Sequence, residues 1–229
     1  MTETVVIIVW WVAFCGSHIL LSADAVRPRL ARALGEKPFM ALYSLVSLAT
    51  FVPLLWTYLG ARHLGPQLWY QPPGSKLAAT AIMALAFALL GLALLSPAPS
   101  SLIHHRSRPA RAAGVTRVTR HPLSAAFFLM GLAHCLVMGF ASDLAFFGGL
   151  CLFAVLTTWH QDARKMDQIA DYDRFQAETS FLPFLAMALG RQPVIAALGE
   201  LRWAGVILGA VVFVGLFLGH GWMFGVALF

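Results

Sequence analysis

The chain has 229 residues, of which 59% are hydrophobic and only 11% charged. Soluble domains carry about a quarter charged residues, so the composition excludes an ordinary soluble enzyme and places the chain in a membrane. The formal net charge is +6, yet the basic residues lie in short segments between apolar runs. Their expected partners there are membrane lipids with anionic headgroups, not nucleic acid.

Windows free of charge mark the expected crossings: 4–23, 38–61, 77–105 (trimmed near Ser96 by the segment SPAPSS), 121–142, 144–161 and 203–229. Each reaches the roughly 17–25 residues that a tilted helix needs to cross a bilayer. The expected fold is all-α, a polytopic membrane helical bundle of about six transmembrane helices in one domain, 1–229. The first run is followed by an Ala-x-Ala pattern at Ala23 and Ala25. It lacks a basic leader and is long for a signal sequence, so it reads as a retained helix. Cys15, Cys135 and Cys151 all fall inside apolar runs without CxxC spacing, which points to packing rather than disulfides or thiolate metal sites.

Basic residues are unevenly distributed among the loops. The first holds Arg27, Arg29, Arg32 and Lys37, and the third Arg106, Arg108, Arg111, Arg117 and Arg120. The fifth holds Arg164, Lys165, Arg174, Arg191 and Arg202, whereas the second has only Arg62 and Lys76 and the fourth none. By the positive-inside rule the odd loops are cytoplasmic and both termini lie outside. Within the fifth loop, Met166, Ile169, Tyr172 and Phe175 recur every three residues between charges, predicting an amphipathic helix that lies on the membrane or on the third loop. The following stretch, 179–199, is apolar but broken by Pro183, Arg191 and Pro193, and is expected to re-enter or lie in the interface. The last run carries Gly205, Gly209, Gly215, Gly219, Gly221 and Gly225. Such small-residue spacing serves packing inside the bundle or a homodimer contact.

No phosphate-binding glycine loop, GxSxG elbow or HExxH occurs, and no acid lies inside an expected crossing; ordinary hydrolases and ion pumps lose their usual residues. The chemistry then rests on histidine. His18, in GSHILLS, and His134, in GLAHCL, lie inside the first and fourth crossings, where lipid offers their ring nitrogens nothing to bond. Each either bonds across helices or ligates a metal. Two such imidazoles with an arginine-rich rim suit haem b, His18 and His134 holding the iron and Arg117, Arg120 and Arg164 meeting the propionates. His121, beside Pro122, and His160, at the same rim, are further candidate cofactor contacts and alternative partners for His18. His63, the His104–His105 pair and His220 are expected to be solvated or interfacial. At about 1.5 Å per residue, His18 lies roughly 9 Å from Asp24 and His134 roughly 21 Å from Arg120, an offset that one shared iron has to bridge.

The stretches GSHILLS, RPRLARALGEKPFMALYSLVSL, GVTRVTRHP, GLAH, HQDARK and AETSFLPFLAMALGR, in that order along nearly the whole chain, resemble the NnrU family. That family includes bacterial proteins linked to denitrification, and is similar to plant zeta-carotene isomerases, haem b membrane enzymes that shift the cis bond of a polyene. The resemblance implies axial histidines at His18 and His134. Where the isomerase motif has a cysteine three positions before the second histidine, this chain has Gly131, with Cys135 on the other side.

The expected function is an inner-membrane haem b protein. It acts as a redox sensor or electron carrier with a nitric-oxide-related partner, or as a haem-dependent isomerase of a lipid-soluble polyene. Two rivals remain. RHPLS followed by a charged loop and FLPF resembles the layout of membrane methyltransferases that use S-adenosylmethionine, although HQDARK lacks their paired glutamates and Ser124 stands where tyrosine is common. The other rival is a non-catalytic assembly or transport factor whose histidines only pack helices.

Overall fold

The computed structural model describes residues 2–96, 98 and 109–225; His104, His105, Arg106 and Arg108 lie outside the described residues. The helices run α1 (Thr2–Ser22), α2 (Arg27–Leu34), α3 (Glu36–Gly60), α4 (Ser75–Leu95), α5 (Val115–Val118) and α6 (Pro122–Val137). They continue as α7 (Ala141–Met166), α8 (Tyr172–Glu178), α9 (Leu185–Ala188), α10 (Val194–Glu200) and α11 (Trp203–Phe224). Helices α1, α3, α4, α7 and α11 are long and apolar enough to cross a bilayer. Their outward faces carry exposed apolar residues such as Val9, Trp56, Leu218 and Trp222, the surface a lipid solvent requires. The protein is a multi-pass helical membrane protein.

The expected fourth crossing, 121–142, is shorter than its charge-free window. Helix α6 has 16 residues, about 24 Å at 1.5 Å per residue, against a hydrocarbon core of about 30 Å. Pro122 opens it, where a missing N–H costs nothing. It stops because the backbone beyond Val137 finds other partners. Leu68 donates its N–H to the Gly139 carbonyl at 2.8 Å, and Ala141 donates to Pro66 at 3.0 Å. A Cβ at Gly139 would overlap the Trp69 carbonyl oxygen. Five full-length crossings and one short apolar helix therefore replace six equal spans.

Contacts along the helices fix their directions. Going down α1, Trp11 meets Phe146, His18 meets Phe153 and Ser22 meets His160, so α1 and α7 run parallel. Helix α6 runs against α7, since Gly131 lies on Phe147 and Cys151 while His121 reaches Asp162. Helix α3 runs against α1, with Ser47 beside His18 and Phe51 beside Phe14. Side by side, α3 packs on α1, α1 on α7, α7 on α6, α6 on α4 and α4 on α11. One end of this row gathers the segments bearing Arg27, Arg117, Arg120 and Arg164. The other gathers residues 61–74, with Thr4 beside Gly65 and Arg62 donating to the Phe224 carbonyl at 2.9 Å.

The single amphipathic helix expected in the fifth loop is two pieces. Helix α7 runs on to Met166, and a left-handed residue, Asp171 at φ 59°, separates it from α8. Ile169, Tyr172 and Phe175 are buried together with Ala110, and Ala110 donates to the Ala170 carbonyl at 2.8 Å. The segment thus lies on the third loop, while Met166 is exposed. Residues 179–199 form only the short α9 and α10 and do not cross. Cys15, Cys135 and Cys151 are free and half-buried.

Glycine closes the α4–α11 seam. A Cβ at Gly205 would come within 2.9 Å of the Gly91 carbonyl oxygen, and one at Gly209 would overlap that of Phe87. Gly215 faces open space. Gly209→Leu is therefore expected to destabilise the bundle by about 1–3 kcal/mol through overpacking, lowering the melting temperature in detergent. Gly215→Leu is expected to leave it within about 0.5 kcal/mol of wild type.

Candidate functional site

At the basic end, three segments meet on one buried carboxylate. Asp162, in the last turns of α7, is 5% exposed. Its Oδ1 accepts from His121 Nε2 at 2.6 Å and from the Tyr172 hydroxyl at 2.7 Å. Its Oδ2 accepts from Arg120 Nη2 at 2.8 Å and from Nε at 3.1 Å. Arg120 also donates through Nη1 to the Gln176 carbonyl at 3.2 Å. Around this hub the backbone is stitched by Arg120 N–H to Ser180, Phe184 N–H to Val118 and Thr119 Oγ1 to Phe181. The RHP segment therefore clamps the end of α7, α8 and the FLPF segment together. Burial pulls the His121 pKa down more than the facing Asp162 pulls it up; a neutral ring donating Nε2–H fits the geometry. Burial and the neighbouring Asp162 carboxylate push the Tyr172 hydroxyl up, so it stays a donor.

The remaining rim residues are also paired. Arg117 holds Glu200 in a two-point contact at 2.8 and 2.9 Å and donates to Gln192. That contact, with the Gly114 N–H, brings the exposed Glu200 carboxyl down to about 2. Arg164 Nε and Gln168 both donate to Asp24 Oδ1. His160 donates Nε2–H to Ser22 Oγ at 3.0 Å, since the Ser22 hydroxyl is committed to the His18 carbonyl.

Inside the bundle, His18 sits among aromatic rings, 4.9 Å from Tyr43, 5.3 Å from Phe153 and 5.5 Å from Phe14. The Ser47 hydroxyl lies 3.4 Å from its Nδ1. His134 donates Nδ1–H to the Met130 carbonyl at 2.8 Å and stacks on Phe147 at 4.1 Å. With Nδ1 carrying the proton, Nε2 of His134 keeps its lone pair.

The opposite end holds a second buried acid. Asp143, in the first turn of α7, is 0% exposed and accepts from the Tyr58 hydroxyl at 3.1 Å and from His63 Nδ1 at 2.8 Å. His63, expected to be solvated or interfacial, is partly exposed at this end and is also tied to a buried partner. Both acids escaped the sequence reading because each was taken as the edge of a crossing, whereas α7 extends past both. The spacing of Asp162 and Tyr172, ten residues apart beyond the histidine of HQD, was the one signal that could have placed the first.

The NnrU protein family model matches residues 6–228. The chain belongs to the NnrU family. It is also similar to the chloroplastic 15-cis-zeta-carotene isomerase of Arabidopsis thaliana, 25% identical over 164 residues, and to the protein of the same name from Zea mays, 27% identical over 169. Each alignment covers 70% of this chain and 45% of the relative, so the chain matches less than half the length of those relatives. No solved structure matches it.

For this NnrU protein, the chemistry of the two intramembrane imidazoles tests the haem b expectation. His134 presents one nitrogen without a hydrogen-bond partner among the described residues and with its tautomer fixed by the Met130 carbonyl, the arrangement that metal-ligating histidines show. His18 is walled by flat rings. Each suits an imidazole-held macrocycle singly. Their α7 contacts, Phe153 and Phe147, are six residues apart, about 9 Å of rise, and on faces more than a right angle apart, so the two imidazoles pack at different heights along α7. Among the described residues no group of three or more His, Cys, Asp or Glu is arranged to hold a metal ion. Along α7, His160 and Arg164 lie towards His18, whereas Arg120 and His121 reach Asp162, fifteen residues or about 22 Å from Phe147. At Gly131, a Cβ would come within 2.6 Å of Cys151 Sγ; a thiol from α7 occupies that volume.

Asp162→Ala removes the buried carboxylate that Arg120, His121 and Tyr172 all donate to and is expected to cost about 3–5 kcal/mol, read as a lowered denaturation midpoint in detergent. Because the buried His121 has a folded pKa below its unfolded value near 6.5, its contribution is complete above pH 6.5 and declines as pH falls below it. Melting temperature should therefore drop between pH 7 and 5, with a shallower slope in His121→Gln.

Proposed function

We propose that this NnrU protein is a membrane-embedded cis–trans isomerase of a lipid-soluble polyene that works with haem b, in a bacterial inner membrane with its basic end towards the cytoplasm. The observation that carries the reading is His134, an intramembrane imidazole with Nδ1–H bonded to the Met130 carbonyl and Nε2 left free. Family membership and the name shared by the two plant relatives favour isomerisation over the nitric-oxide redox role. The RHP segment, committed to Asp162, has a scaffolding duty that needs no methyl donor.

Bound haem would supply an iron that contacts a double bond and lowers the barrier to rotation about it. His134 would hold the group through Nε2, the Met130 carbonyl keeping the ring's orientation and raising its basicity. Phe147, stacked on the imidazole, excludes water from that side. Phe14, Tyr43 and Phe153 around His18 offer ring faces against which an extended polyene packs. The lipid-facing sides of α1 and α3 let such a substrate arrive laterally.

Protein expressed with ample haem and purified in detergent should show a Soret band. His134→Ala is expected to lose most of it, whereas His18→Ala is expected to retain a band. A colourless wild-type protein, or an unchanged spectrum in His134→Ala, rejects the reading.

A further inference from the structure

The end opposite Asp162 carries a site of its own, independent of haem. His63 Nδ1–H is pinned to the Asp143 carboxylate at 2.8 Å, and the same carboxylate accepts from the His63 backbone N–H at 3.3 Å and from Tyr58. With Nδ1 as donor, the free Nε2 is an acceptor. The side chain is 39% exposed and lines two adjoining clefts. One is walled by Gln67, Gln71, Val137, Met138 and Phe140, and the other by Leu59, Arg62 and Phe224.

His63 adopts φ 57°, a left-handed turn conformation that histidine takes more readily than most side chains. Its ring is oriented by an acid buried at the first turn of α7, the arrangement by which proteins set an imidazole's free nitrogen for a ligand.

The surroundings narrow the ligand. Leu68, Trp69 and Tyr70 of the same loop are exposed, as in the aromatic belts at membrane–water boundaries. The clefts therefore open where an amphiphile keeps its head while its tail lies in lipid along α3. The Asp143 carboxylate disfavours an anionic head, and Arg62 is already turned to the Phe224 carbonyl. Acceptor Nε2 calls for an O–H donor, and the Gln67 and Gln71 amides suit a neutral oxygen beside it.

We infer that His63, held by Asp143, anchors the hydroxyl head of a neutral membrane amphiphile, phenolic as in a quinol or alcoholic as in a hydroxylated polyene. The test uses the full chain in lipid nanodiscs with 4-decylphenol and 1-tetradecanol as probes, each against its methyl ether, read by isothermal titration calorimetry. At least one hydroxyl probe should bind saturably and at least tenfold more tightly than its ether, and which one identifies the source. His63→Asn tolerates the left-handed backbone but is too short to present a nitrogen at the Nε2 position. It should remove that tenfold preference while its melting temperature stays near wild type. Should His63→Asn unfold, Gln71→Ala supplies the second variant, expected to weaken the hydroxyl probe at least threefold. Equal affinity for hydroxyl and ether probes, or an undiminished preference in the folded variants, overturns the proposal. So does displacement of the phenol by micromolar Zn²⁺, which reassigns Nε2 to metal ligation.

Discussion

A carboxylate inside an apolar bundle persists only when its charge and lone pairs are matched. Asp162 meets that condition with three donor residues from two separate stretches: Arg120 and His121 before α6, and Tyr172 at the start of α8. The match is geometric as well as electrostatic, because a guanidinium fork fits a carboxylate in one orientation. An apolar replacement of similar volume would hold these pieces together as firmly, but it would not fix where each begins. The start of α6 is set by this contact, and with it the height of every residue on α6, His134 included. The same contact seats the segment 180–184 beneath the bundle.

Much of the architecture could be read from where charge is absent. Six apolar stretches, their alternating directions and the segregation of arginines to one end follow from the cost of carrying charge through hydrocarbon, and the helix contacts agree. The errors came from the same rule. Treating every acid as a boundary put Asp143 and Asp162 outside the membrane helix, although local pairing allows both to sit within α7. Helix α6 is short for a reason no local pattern carries, since its continuation pairs with residues 66–69, some seventy positions earlier. The break at Asp171 likewise depends on Tyr172 and Ala110 meeting across about sixty residues.

The candidate site was half legible. His18 and His134 stood out because imidazole is expensive in lipid, and both are indeed inside the bundle with individual partners. Whether they oppose each other depends on how α1 and α6 are phased around α7, which periodicity along one helix does not reveal. His63 was overlooked for the opposite reason. A histidine in a polar loop looks solvated until its buried partner is known. The arginines, singled out as anion contacts, are engaged with the protein's own carboxylates, and an incoming propionate at Arg117 or Arg164 would have to displace Glu200 or Asp24.

The glycine-lined approach of α11 to α4 makes the two flanks of the row mechanically unequal. Backbones in direct contact have no side-chain layer to deform, so that flank behaves as a single stiff slab. On the far flank α3 leans chiefly on α1 through side chains, and Pro53 interrupts its own hydrogen-bond ladder. Thermal breathing of the bundle is therefore expected to concentrate at the α3 edge, where side-chain contacts can give without moving a backbone seam.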